Sequence, residues 1–337
     1  MKQTVGAAQM HDAELRHGDV VEVKSAAEIL ATLDGEGALD GLPFMPEMVQ
    51  FCGRRFTVDK RADKICDTVH YTGSRRLPGA VLLGDLRCDG SGHDGCQAEC
   101  RLFWKEAWLR RANGEAAAPR DGQAAATLTQ LTVRSSRRAS PADGEEGPRY
   151  RCQNTELTQA TQHLKLWDPR PYLREYQNGN VPLGRFLRVM GRAAVEEPLR
   201  KLGLMPEVHL PGTGTGKEPE TALGLQPGEW VRVKSKDEIA ATLSAQGRNR
   251  GMWFDREMLP YCGMTFQVRR RIRRFIDERV GKMIEFKTEA ITLEHAVCSG
   301  DRSQRRWFCP RAIYPFWRES WLERVKPPSG GSPPPAT

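Results

Sequence analysis

Apolar and polar residues alternate in two short stretches, VVEV (20–23) and WVRV (230–233), as they do in a half-buried strand. Each is followed by one or two apolar helical turns, EILATL or EIAATL, introduced by Ser25 or Ser235 as a cap. A second strand, FTV or FQV, follows a Cys-Gly pair, and AVLLGDLRC and AITLEHAVC predict a third. Each set closes on an aromatic segment, FWKEAWL or FWRESWL, with its rings on one face. Short strands, one inserted helix and a Trp-rich closing segment predict a small closed barrel, because closure removes edges that short strands cannot protect.

The two sets are in register. GDVVEVKSAAEILATL starts at Gly18 and GEWVRVKSKDEIAATL at Gly228, 210 residues later. Without a gap, Phe44 falls on Phe254, Glu47 on Glu257, Met48 on Met258, Cys52 on Cys262, Phe56 on Phe266, Val58 on Val268 and Cys88 on Cys298. After three inserted residues Cys96 meets Cys309, and FWKEAWL meets FWRESWL. A match of this length predicts an internal repeat, with modules over 18–112 and 228–326. The expected fold class is mainly β (α+β): two homologous small β-barrel modules joined by a partly helical middle segment. The order strand, Phe-x-x-Glu-Met, aromatic-Cys-Gly, strand, terminal Trp-Leu resembles Src-homology-three-like barrel modules, a fold that serves many functions and so implies none by itself.

An N-terminal arm, 1–17, precedes the first module. The stretch 113–148 is rich in Ala, Gly, Ser and charge, which predicts a flexible linker with at most one short ordered piece. In 149–205, Tyr150, Leu157, Leu164, Trp167, Tyr172 and Leu173 offer apolar contacts. VPLGRFLRVMGRAAVEEPLRKLG predicts an amphipathic helix, bent or restarted near Pro198, so this helical middle segment is expected to pack on a barrel. A second linker, 206–227, and a disordered tail, 327–337, complete the plan.

At 337 residues the chain has room for two or three ordinary domains. Its apolar runs fall short of the roughly 18–20 residues that span a bilayer, and MKQTVGAAQM lacks the apolar stretch of a secretory signal. A soluble, cytoplasmic protein without a membrane span is expected. In such a reducing compartment nine cysteines, several at short spacing, point to metal ligation or redox chemistry more than to disulfides.

RCDGSGHDGCQAEC carries Cys88, Cys96 and Cys100. A Gly-rich loop lets these thiolates converge, Cys66 on a neighbouring strand completes a tetrahedron, and His93 is the substitute ligand, so zinc is the expected cofactor. Such a site contributes roughly 10–16 kcal/mol to folding, which matters to a module whose own core is marginal. The second module keeps Cys262, Cys298 and Cys309 but has Ile276 opposite Cys66 and Ile313 opposite Cys100. Its three thiols, with His295 as a helper, fit an open zinc site or an iron–sulfur cluster with one accessible iron; the alternative is buried remnants. Cys52 and Cys262, each before a glycine, fit core packing somewhat better than ligation. Cys152 lies outside both repeats and is either a ligand reaching in from the middle segment or a free thiol.

GSGHDG (90–95) matches Gly-x-Gly-x-x-Gly but lacks a strand-turn-helix setting, which excludes a dinucleotide site and leaves a metal knuckle. GTGTGKE lacks Ser or Thr after Lys217 and predicts a hinge, not a phosphate loop. Glu106 and Glu319, Glu47 and Glu257, and Glu28 and Glu238 hold matching places. This predicts service to a shared fold, by capping or by pairing with Lys105 or Arg318, ahead of general-base roles. Whether the chain is an enzyme stays open, since it offers neither a Ser-His-Asp order nor paired acids.

The formal charge of +8 is uneven: 18–111 holds 13 Lys and Arg against 15 Asp and Glu, whereas 228–326 holds 21 against 13. Arg269, Arg270, Arg271, Arg273 and Arg274, with Arg302, Arg305 and Arg306 near Trp307, Phe308 and Tyr314, predict contact with an anionic partner. That partner is a nucleic acid, a small molecule or an acidic protein surface; a plain solvated face is the alternative.

GDVVEVKS, LPFMPEM, RCDGSGHDGCQAEC, WDPRPY and FCPRAIYPFWRESWL together resemble an uncharacterised group of bacterial proteins, over nearly the whole chain outside the linkers. The resemblance implies a bacterial cytoplasmic protein and supplies no catalytic residues. The expected function is that of a metal-binding tandem-barrel interaction or accessory module whose basic second barrel contacts an anionic partner. The alternatives are a zinc or iron–sulfur enzyme or biosynthetic accessory with an open three-cysteine site, and a nucleic-acid binder.

Overall fold

Ser25 and Ser235 start short helices in the same way. The Ser25 hydroxyl accepts the Glu28 amide at 3.3 Å while Glu28 accepts the Ser25 amide at 2.9 Å. Ser235 and Glu238 repeat this at 3.3 and 2.8 Å. These reciprocal caps set the helices Ala26–Leu30 and Lys236–Ala240 directly after the strands Val20–Val23 and Trp230–Val233.

The computed structural model describes residues 14–112, 122–138, 147–165, 168–204, 210–217 and 223–327, and it is mainly β, with two curled half-barrel sheets. The N-terminal sheet runs, in spatial order, Arg101–Lys105, Ala80–Arg87, Arg55–Arg61, Val20–Val23, Leu109–Arg111, with antiparallel neighbours throughout. The C-terminal sheet runs Lys282–Leu293, Thr265–Asp277, Trp230–Val233, Leu322–Arg324. Where the first sheet pairs Val81 with Trp104, the second has an isolated bridge from Ile291 to Trp317. Both long hairpins break register just after Val58 or Val268, and such bulges tighten the curl.

Each sheet closes over one aromatic cluster. Phe44 meets Trp104 and Trp108 edge-on at 6.0 and 5.1 Å, and Phe254 meets Trp317 and Trp321 at 6.0 and 5.3 Å. The indole of Trp108 donates to Thr32 at 3.1 Å and that of Trp321 to Thr242 at 3.0 Å. An ion pair with one partner buried ties the chain entering each sheet to its far edge. Arg61 donates to Glu106 at 2.7 Å and to the Leu15 carbonyl at 3.0 Å, while the Leu15 amide donates to Glu106 at 2.7 Å. Arg271, Glu319 and Leu225 make the matching bonds at 2.7, 2.6 and 3.0 Å. Glu106 and Glu319 therefore serve the fold, but through Arg61 and Arg271, not through Lys105 and Arg318.

The connecting segments depart further from expectation. Within 113–148, Gly122–Ser135 is a helix that buries Leu128 against Ala26–Leu30 and Pro46–Phe51, so part of the expected linker belongs to the first core. The rest of that linker, apart from 136–138 and 147–148, lies outside the described residues, as do Trp167, the arm up to residue 13 and the tail from 328. The middle segment folds into helices Arg170–Gln177 and Leu183–Lys201, and the second runs through Pro198 without the expected restart. GTGTG is not a hinge. The Gly212 and Gly214 amides donate to Ser244 and Leu243 carbonyls at 3.0 and 2.9 Å, and a Cβ on either glycine would strike that turn's backbone. Among the described residues no helix is long and apolar enough to cross a membrane.

Candidate metal centre

Each sheet leads into a loop of matching build. In the first, Gly90 holds φ at +76° and lies so close to Cys96 that a Cβ would sit 2.1 Å from its carbonyl oxygen; in the second, Gly300, at φ +72°, packs on Cys309. A buried glutamate from the preceding 3₁₀ turn holds each loop from below. Glu47 accepts His93 Nδ1 at 2.7 Å, the Gly92 amide at 3.1 Å and the Cys88 thiol at 3.4 Å. Glu257 accepts the Arg302 amide at 2.6 Å and the Ser303 and Ser299 hydroxyls at 2.9 and 2.8 Å. The role of Glu47 and Glu257 as loop holders is not marked by any sequence motif; their shared place in Phe-x-x-Glu-Met was its only signal.

His93 is spoken for at both ring nitrogens, since Nε2 lies 3.1 Å from the Arg151 carbonyl. Burial works against its charge, but the Glu47 bond prevails and raises its pKa; burial likewise works against ionised Glu47, and the His93 bond prevails to lower it. The second carboxylate oxygen of Glu47, Oε2, is buried without a hydrogen-bond partner. Among the described residues, Glu47, Cys88 and His93 form the one group of three His, Cys, Asp or Glu residues whose donor atoms all lie within 4.8 Å of one another.

The thiols divide differently from the expected set. Cys88, Cys96 and Cys100 remain electrostatic neighbours and are joined by Cys152, although among the described residues no three of these sulfurs lie within 4.8 Å of one another. Burial raises Cys88, helped by the charge of Glu47 and by neighbouring Cys100 and Cys152; burial also raises Cys100, and pushes Cys152 up to about 11, with Cys96 beside both. Cys66 is not the fourth member. Its strand, Lys64–Cys66, pairs away from the N-terminal sheet with Ser74–Arg76, and this small sheet docks on the loop of the other half. Lys64 donates to the Trp307 carbonyl at 2.5 Å, Ser74 to the Arg305 carbonyl at 2.8 Å, and the Cys66 amide to Cys309 Sγ at 3.2 Å.

The exchange is mutual. Thr265–Asp277 reaches back to the first loop, where the Ile276 amide donates to Cys96 Sγ at 3.4 Å and the Arg273 and Arg274 amides donate to Gln97 at 2.6 and 3.0 Å. Cys66 and Ile276, 210 residues apart, thus contact the knuckle thiol of the opposite half. Beside Cys309 stand Cys66 and Cys298, with Arg311 Nη1 3.8 Å from Cys66 Sγ. Burial opposes ionisation of Cys309, yet the bond from Cys66 and the charge of Arg311 bring it down to about 7, while that bond and burial raise Cys66. Cys262 takes no part; like Cys52 it ends a 3₁₀ turn, is raised by burial and packs on its core. His295 is exposed at a turn with φ +62°.

The arginine cluster is largely neutralised from within. Arg269 pairs with Glu99 at 2.7 Å and Glu294 at 2.9 Å, Arg270 with Glu99 at 3.4 Å, Arg271 with Glu289 at 2.5 Å as well as Glu319, and Arg274 with Glu285 at 3.3 Å. Arg305 lies 3.9 Å from Glu197, and Arg306 covers the Tyr71 ring at 5.0 Å. Arg273 is the exposed member of the run. Comparison with protein-family models, curated proteins and solved structures gives no match to this chain.

Proposed function

We propose that this is a metal-binding interaction or accessory protein built from two copies of one Src-homology-three-like module, with zinc held in the first by Cys88, Cys96, Cys100 and Cys152. The observation that supports this reading is that Cys152, from outside both repeats, comes within electrostatic reach of Cys88, Cys96 and Cys100; no three of these sulfurs lie within 4.8 Å of one another among the described residues, so loading has to draw them together. Four sulfurs suit zinc, which favours four soft donors at about 2.3 Å. Amides aimed at sulfur, as from Ile276 to Cys96, favour the thiolate form that a metal requires. In the same proposal the protein resides in the cytoplasm, and Arg273 and its surroundings meet an anionic partner. The internal pairing of the other arginines makes sequence-independent grip on a long phosphate backbone the weaker choice.

A second reading has a specific observation behind it: Glu47, Cys88 and His93 are the closest-set donors, and Glu47 Oε2 lacks a partner. Zinc analysis of full-length protein purified without chelator separates the two. The thiol centre predicts that Cys152→Ser loses one equivalent of zinc and His93→Ala loses none. The reverse pattern assigns the ion to the mixed set, and a folded, zinc-free parent protein refutes both. Absorbance near 400 nm, roughly where iron–sulfur charge transfer falls, would replace zinc by a cluster.

A further inference from the structure

We propose a second soft-metal site, formed by Cys66 of the N-terminal half with Cys298 and Cys309 of the C-terminal half, that clamps the two halves together. It is separate from the centre at Cys88 and shares no ligand with it. Neither half contains this donor set alone: Cys66 arrives on a strand that has left its own sheet, and Cys298 and Cys309 flank the opposite loop. Three features suit a cation here. The Cys66 amide points at Cys309 Sγ at 3.2 Å, a donor that stabilises a metal-bound thiolate. The Cys66 and Cys309 thiols interact electrostatically, and Cys298 lies within electrostatic reach of both. Arg311, 3.8 Å from Cys66 Sγ and paired with Glu278 at 2.7 Å, adds a cation beside the single negative charge left when three thiolates bind a divalent ion.

The three sulfurs do not all fall within 4.8 Å of one another, so loading has to draw them closer together. Ile313 stands where the first loop has Cys100, so one position of a tetrahedral ion is left without a fourth loop thiolate. Closing this site joins segments more than 230 residues apart in sequence, and metal binding is thereby linked to docking of the halves.

The test uses the full-length protein with zinc alone as the probe. Cysteine alkylation of the unmodified chain, read by mass spectrometry with zinc and after chelation, should show Cys66, Cys298 and Cys309 protected together and released together. Cys66→Ser and Cys309→Ser should each lose one equivalent of zinc relative to the parent, whereas Cys152→Ser should lose the other equivalent and retain this one. Identical alkylation of the three thiols with and without zinc would overturn the proposal, as would unchanged zinc content in a folded Cys66→Ser protein. A Cys66–Cys309 disulfide in protein that carries its full zinc complement would overturn it as well. Loss of the Cys152-dependent equivalent alone leaves this site standing and separates its fate from that of the first centre.

Discussion

The backbone amide of Cys66 donates to the sulfur of Cys309 at 3.2 Å, across 243 residues of sequence. With Ile276 donating to Cys96 in return, each half completes the loop of the other. Cleavage in the 206–227 segment should therefore leave two fragments that travel together on gel filtration under native conditions. Separate elution of two folded fragments would contradict a mutual exchange.

The Arg61–Glu106 pair binds the entering chain at Leu15 to the far edge of its sheet. Its guanidinium side chain is 3% exposed, so removing the carboxylate strands a buried cation that Asp63 compensates only in part. Glu106→Ala should cost about 3 kcal/mol, and Glu319→Ala less, because Arg271 is 27% exposed and keeps Glu289 at 2.5 Å. Urea midpoints measure this; a loss below about 0.5 kcal/mol would place the pair among inert surface bridges.

Phe44 is fully enclosed between Trp104 and Trp108. Phe44→Ala should destabilise the N-terminal half by about 3–5 kcal/mol, as large aromatic truncations in cores do. Denaturation followed by Trp fluorescence reads the change, and an unaltered midpoint would mean that the cluster is not a core.

The capping boxes give a pH dependence of known sign. The Ser25 bonds and Arg110 hold Glu28 below the usual carboxylate range although burial acts the other way; for Glu238 the Ser235 bonds lead. A carboxyl depressed by folding contributes stability that is fully present above its unfolded value, about 4.3, and is lost as pH falls through the folded value. The stability gap between the parent and a Glu28→Gln, Glu238→Gln protein should narrow between about pH 6 and pH 3. A gap that stays constant over that span would remove these groups from acid unfolding. Separately, Ser25→Ala should cost about 1 kcal/mol.

What could be read from the residues alone was what local pattern dictates. The strands at VVEV and WVRV, the Ser25 and Ser235 caps and the aromatic closing segments each depend on neighbours within a few residues, and each appears in the fold, although only WVRV alternates in burial, Glu22 being buried and Val20 exposed. Proximity in sequence points Cys66 to the loop of its own half, and the strand that carries it to Cys309 in the other half leaves no local mark. For Cys152 the residues alone leave open a ligand reaching in from the middle segment and a free thiol. The Gly122–Ser135 helix was hidden by an Ala- and Thr-rich composition that resembles a linker until Leu128 finds a core to enter. The arginine run gave a true count of charge but no account of the carboxylates that the fold brings against it, such as Glu99 from the other half.

X-ray absorption at the zinc edge of the folded, full-length protein bears most directly on the claim that buried thiols hold a metal. A first shell dominated by sulfur at about 2.3 Å, diminished in Cys152→Ser, is the predicted result. A shell dominated by nitrogen and oxygen at about 2.0–2.2 Å, or a folded protein with no zinc to observe, would contradict it.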